Sequence, residues 1–179
     1  MARSPAEYIR QSKPDNRPVV IWLVVAGLAV VVMAMVIGAP LARAGGYSTP
    51  AFVIYGAFSK VCHQIPERSF FIAGHQFAIC ARCTGLYVGF IAVTLCYPLV
   101  RSVRRIDTPP RRWLFIAALP LVIDFSLGYF GFWENTHLSR FLTGVLLGAV
   151  SVFYVLPGLV QLNLRDIAQV FRRKQPAVQ

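Results

Sequence analysis

Cys62, His63, His75, Cys80 and Cys83 fall inside one short stretch and are the residues best suited to bind a metal or exchange electrons. Three of the chain's four cysteines and two of its three histidines lie there. Cys80 and Cys83 are three apart, so on a helix they share one face. At a helix N-terminus, unpaired N–H groups and the helix dipole favour thiolates, and Arg82 adds a cation between them. Low-pKa thiols suit both metal ligation and thiol–disulfide exchange, so this pair does not choose between the two.

A metal reading takes Cys62, Cys80 and Cys83 as thiolate ligands with His75 or His63 as the fourth, a normal closed zinc set; iron also fits these donors. Cys62 and His63 are adjacent and their side chains tend to diverge, which favours His75 as ligand and frees His63 for acid–base work. A redox reading takes Cys80–Cys83 as a reversible disulfide that Cys62 attacks or resolves. Three thiols cannot all pair, so a purely structural bridge leaves one reactive orphan, whereas a metal uses all three.

A second constellation is Asp124, a carboxylate inside an apolar run, where it costs at least a few kcal/mol unless paired or wetted. Arg140 and Arg82 are its expected partners. Asp124, Arg140 and His63 are the candidates for catalytic work in a polar pocket beneath the cysteines. Glu134 and His137 are expected as ordinary loop residues, and Glu67 and Arg68 as a local ion pair across the Pro66 turn.

These residues need elements to hold them, and composition says which. The chain has 179 residues, 56% of them hydrophobic and 14% charged, too apolar for an ordinary soluble domain. Uncharged or nearly uncharged runs occupy about 19–42, 83–100, 113–132 and 141–160, each near the roughly 20 residues that cross a bilayer. An all-α bundle of four transmembrane helices follows. The first run is too long for a signal-peptide core, so an uncleaved anchor is expected despite Ala42-Arg43-Ala44. The formal charge of +11 is parcelled out between these runs rather than gathered in one patch, which excludes nucleic acid as a partner and points to the lipid bilayer.

Charge asymmetry sets the orientation. A basic tail at 1–18, the loop around Pro109-Pro110 and a basic amphipathic tail at 165–179 together hold 13 Lys and Arg. The remaining 5, namely Arg43, Lys60, Arg68, Arg82 and Arg140, fall on the other side. Both termini are therefore expected in the cytoplasm, with a Cys/His loop at 43–82 facing outward. Gly85-x-x-x-Gly89 and Gly144-x-x-x-Gly148 predict contact between the second and fourth spans, because close backbone approach is a main source of attraction in lipid.

Four spans with Cys-x-x-Cys at the outer end of the second resemble the membrane disulfide oxidases that pass electrons to quinone. The resemblance stops at the second cysteine pair, which the outer loop at 131–139 lacks; Cys96 lies about 20 Å deeper along the helix. A more specific resemblance joins Cys62-His63-Gln64-x-Pro66-Glu67-Arg68-Ser69-Phe70 with Cys80-Ala81-Arg82-Cys83-Thr84-Gly85-x-Tyr87-x-Gly89. Together with Asp124 and Arg140-x-x-Thr143-Gly144, these residues resemble a family of small bacterial multi-pass membrane proteins of unknown function over about residues 50–160. That resemblance implies an integral protein of the bacterial inner membrane and no particular activity. The expected function is a metal-binding membrane protein, the metal zinc, bracing an outer pocket. The alternatives are a quinone-linked thiol–disulfide oxidoreductase and an accessory subunit of a larger membrane complex.

Overall fold

The computed structural model describes residues 16–105 and 107–162, so the basic tail before residue 16 and the amphipathic tail at 165–179 lie outside the described residues. The elements in order are α1 (Arg17–Ala44), α2 (Ser48–Phe58), a 3-10 turn (Pro66–Arg68), β1 (Ser69–Ile72), β2 (His75–Cys80), α3 (Ala81–Val100), α4 (Arg112–Tyr129) and α5 (His137–Gln161). Helices α1, α3, α4 and α5 are long and apolar enough to cross a membrane, and the fold is a helical membrane bundle.

Side-chain size sorts the faces of α1. Val20, Val24, Leu28, Val31 and Met35 are exposed, whereas Ala26, Ala29 and Ala39 are buried. Large apolar groups outward and small ones inward is the pattern lipid imposes, because lipid solvates the first kind and close packing needs the second. Helix α4 goes further, with Ala117 as its sole buried residue.

Helices α3 and α5 lie side by side and parallel, their glycine faces interlocked. A Cβ added at Gly85 or Gly89 would run into the carbonyl oxygen of Phe141 or Val145; one at Gly144 or Gly148 would meet that of Arg82 or Leu86. The contact expected from the two Gly-x-x-x-Gly pairs is therefore present, with backbone pressed on backbone. Helix α1 runs the opposite way. Trp22 Nε1 donates to the Thr94 carbonyl at 2.6 Å, near the end of α3, while Val36 packs beside Ile79 and Cys62 at its start. Trp22 thus turns into the bundle, where it joins Tyr97, Val152 and Leu156.

The segment between α1 and α3 holds more structure than its Pro and Gly breakers suggested. Short α2 packs on α1, and β1 and β2 form an antiparallel hairpin. Its two-residue turn is Ala73-Gly74, both at positive φ (50° and 76°), the backbone that suits the twist of paired strands. Glycine adopts it freely and alanine does not. Ala73→Asn is expected to stabilise the folded protein by about 0.5–1 kcal/mol, read as a raised unfolding temperature in detergent, because asparagine tolerates this conformation better.

Candidate metal centre and its pocket

The hairpin exists, in effect, to bring Cys80 to Cys62. Cys62 follows α2 directly, and its backbone N–H is bonded to the Phe58 carbonyl at 2.9 Å. Cys80 ends β2 and caps α3, and Cys83 stands in the first turn of that helix. The Sγ atoms of Cys62, Cys80 and Cys83 lie within 4.8 Å of one another. All three are free thiols. Cys62 is buried and the other two partly so, with Val36 and Ile79 packed against them as an apolar roof.

Hydrogen bonds hold this arrangement from behind. Gln64 has φ 50°, a costly conformation for a residue with a side chain, and its amide bridges two elements. Gln64 Nε2 donates to the Tyr55 and Ala78 carbonyls, each at 2.8 Å. Gln76 Nε2 returns a bond to the Gln64 carbonyl at 3.0 Å, and Tyr55 Oη donates to the Gln76 carbonyl at 2.5 Å. Burial pushes the Tyr55 phenol up, against the opposing field of Arg43, which keeps it a donor. Gln76 and Tyr55 went unnoticed in the sequence, and Gln64 entered only as part of the signature, with no role assigned. A glutamine directly after a Cys-His pair was the available clue.

Electrostatics at Cys62 favour thiolate. Hydrogen bonds from Cys80 and then Cys83 hold its thiol well below the usual range, and backbone N–H groups of Gln64 and Cys80 add to this against the penalty of burial. One of these is the bond from Cys80 N–H to Cys62 Sγ at 3.2 Å. Three thiols converging within 4.8 Å could hold a metal ion.

The two histidines do not join them. His75 pairs with Ile72 at the hairpin turn, at the opposite end of β2 from Cys80, about 16 Å away at strand rise. It lines a separate recess with Arg43 and Tyr55. The expectation that His75 is the better fourth ligand is therefore corrected: residues 75–80 form a strand, and a strand keeps its ends apart. His63 is exposed and lines the main pocket instead.

That pocket has a volume of about 470 Å³, and Cys80 forms part of its wall. Arg82 and Asp124 meet at its edge in a 2.5 Å ion pair, their side chains 21% and 11% exposed. Arg82 also lies over the Phe125 ring, 5.7 Å from its centroid. The partner of Asp124 is thus Arg82 rather than Arg140, the long Arg82 side chain reaching from the first turn of α3 to α4. Asp124 sits nearer the helix end than its run suggested, since α4 stops at Tyr129. Asn135 ties the following loop down by donating from Nδ2 to the Asp124 carbonyl. Glu67 is not paired with Arg68 among the described residues; Arg68 lines the pocket. His137 opens α5 and stacks near Phe70 at 5.9 Å.

Asp124→Asn strands the Arg82 guanidinium in a largely apolar site. The expected loss is about 3 kcal/mol, measured by thermal unfolding in detergent, with Ser126→Ala as an unaffected control.

Comparison with known proteins adds an identity without an activity. The family described as predicted membrane protein (DUF2085) matches residues 62–154, just over half of the chain. The chain belongs to this family. It is similar to an uncharacterized protein of Methanocaldococcus jannaschii, 39% identical over 104 residues, which cover 58% of this chain and 67% of that one. A second uncharacterized protein, from Methanothermobacter thermautotrophicus, is 34% identical over 91 residues, 51% of this chain and 80% of its own. Both relatives are archaeal, so the family is not specifically bacterial. No solved structure matches. The family's matched stretch opens at Cys62 and takes in Cys80, Cys83, Asp124 and Arg140, so the whole pocket wall falls within it.

Proposed function

We propose that Cys62, Cys80 and Cys83 bind one zinc ion on the extracytoplasmic side of the plasma membrane, and that the ion braces the pocket beside it. The observation that carries this reading is the convergence of three free thiols within 4.8 Å. In a tetrahedral thiolate site with Zn–S near 2.3 Å, sulfurs stand about 3.8 Å apart, so little movement closes the set. The fourth position falls to water, since neither histidine stands with the three thiols. Soft thiolates also accept iron, but a chain with no fourth cysteine nearby lacks the usual ligand set of an iron–sulfur cluster.

The ion would add a bridge among the turn after α2, the end of β2 and the first turn of α3, beside the hydrogen bonds of Gln64 and Tyr55 that join α2 to β2. The extracytoplasmic placement rests on 13 basic residues in the termini and central loop against 5 elsewhere. It is supported by the packing, since the start of α1 lies beside the end of α3 and Tyr154 of α5 reaches the Pro110 carbonyl before α4. Both ends of the membrane domain then share one side. The pocket beside α4 is one part of the outer surface open to other molecules.

Elemental analysis of detergent-purified protein, paired with a thiol count on the denatured chain, tests the proposal. One zinc per chain with four titratable thiols is the expected result. Iron in its place would keep the metal site and change its occupant. Absence of metal with only two free thiols would overturn the proposal in favour of a Cys80–Cys83 disulfide resolved by Cys62, and quinone reduction would be the next assay.

A further inference from the structure

The pocket carries more positive charge than its surroundings balance. Arg68, Arg82 and Arg140 all line it, and among the described residues the Arg82–Asp124 pair is the one ion bridge at the site. Like charges gathered in a partly dehydrated recess repel one another, an arrangement that folding alone does not favour. A zinc ion with three thiolates would carry one net negative charge, and Asp124 a second. Three guanidiniums still leave an excess.

The pocket's hydrogen-bonding groups are also incomplete. The Nε–H donors of Arg82 and Arg140 are buried without partners, where most buried polar atoms find one. The walls supply what an anion needs in addition to charge. Planar guanidiniums match the oxygens of a phosphate in pairs, and Phe125 and Tyr129 give the rim an apolar side.

We infer that this pocket binds a phosphate-type oxyanion, held by Arg68 and Arg140 while Arg82 is kept in place by Asp124. The anion is either free phosphate or the phosphate of a lipid headgroup, since the pocket opens at the outer end of α4, where such headgroups lie. This inference rests on the pocket of the preceding proposal and uses none of its thiols. Arg68 is exposed and Arg140 partly buried, so Arg68→Gln removes a ligand contact without disturbing the bundle.

The test uses full-length protein in a neutral detergent, with its metal content measured on the same sample. Inorganic phosphate is titrated by calorimetry. Phosphatidylglycerol, against uncharged diacylglycerol, is followed by native mass spectrometry. Binding of inorganic phosphate, weakened at least 10-fold in both Arg68→Gln and Arg140→Gln, is the result expected for a free oxyanion. Binding of phosphatidylglycerol alone, with the same 10-fold losses, assigns the lipid as the source. Failure of both probes to exceed the neutral control, or binding that Arg68→Gln and Arg140→Gln leave unchanged, overturns the inference. The metal content separates the two proposals: a metal-free protein that still binds phosphate retains the anion site and loses the zinc, whereas a zinc-loaded protein that binds neither probe does the reverse.

Discussion

Gly148→Leu is expected to yield no folded bundle in detergent, and Gly85→Leu to behave the same way. At each position a Cβ would meet a carbonyl oxygen of the facing helix, Leu86 for Gly148 and Phe141 for Gly85. A flexible side chain could swing aside, but a helical carbonyl cannot move without breaking its own ladder. The two helices would have to separate by more than an ångström along a face held by close dispersion contacts, and by Cα–H···O contacts of the kind seen between tightly packed helices. The expected loss is about 5 kcal/mol or more, at the diagnostic end of single substitutions. Gly27→Leu is the control: nothing lies within 4 Å of the added carbon there. Size-exclusion profile and thermal unfolding together read the outcome. A Gly148→Leu protein that elutes and melts like the parent would mean that α3 and α5 do not pack as described.

The second large effect is expected at the thiols. On the proposed zinc site, Cys62→Ser, Cys80→Ser and Cys83→Ser should each abolish metal binding and lower the unfolding temperature by a similar amount, because a tetrahedral site deprived of one thiolate loses most of its affinity. Structural zinc contributes about 10 kcal/mol or more of apparent binding free energy at neutral pH in small zinc domains, so loss of even part of it is a large fraction of a protein's stability. A chelator should bring the parent protein down to the level of the variants and leave the variants where they are. Cys96→Ser should do nothing, since Cys96 is exposed on α3 far from the group. A folded, oxidised Cys62→Ser protein holding a Cys80–Cys83 disulfide would instead reveal a redox relay.

What could be read from the chain divides along a physical line. Long apolar runs announce themselves because lipid demands about 20 residues without charge, and so do Gly-x-x-x-Gly pairs, whose function needs no information from elsewhere in the fold. The three cysteines were legible as a group by residue type alone. The hairpin was not. Ser69–Ile72 and His75–Cys80 are short, and Ala73-Gly74 lacks the Asn-Gly or Asp-Gly signature that marks such turns. Missing the strand meant misplacing His75, which looks close to Cys80 in sequence and is held a strand's length away. Gln64 and Arg68 were opaque for a different reason. Their roles depend on carbonyls and charges contributed by segments far along the chain, and no local pattern records those.

The parallel pairing of α3 with α5 also has a consequence in time. Gly85 waits for Phe141, and Arg82 for Asp124, partners that lie 56 and 42 residues downstream. At a synthesis rate of about 5–20 residues per second, these gaps last about 2 to 11 seconds. The glycine face of α3 is therefore complete well before the face it packs against has been made. The same delay separates the Arg82 guanidinium from its carboxylate, so the central seam of the bundle is among the last parts of the protein that can close.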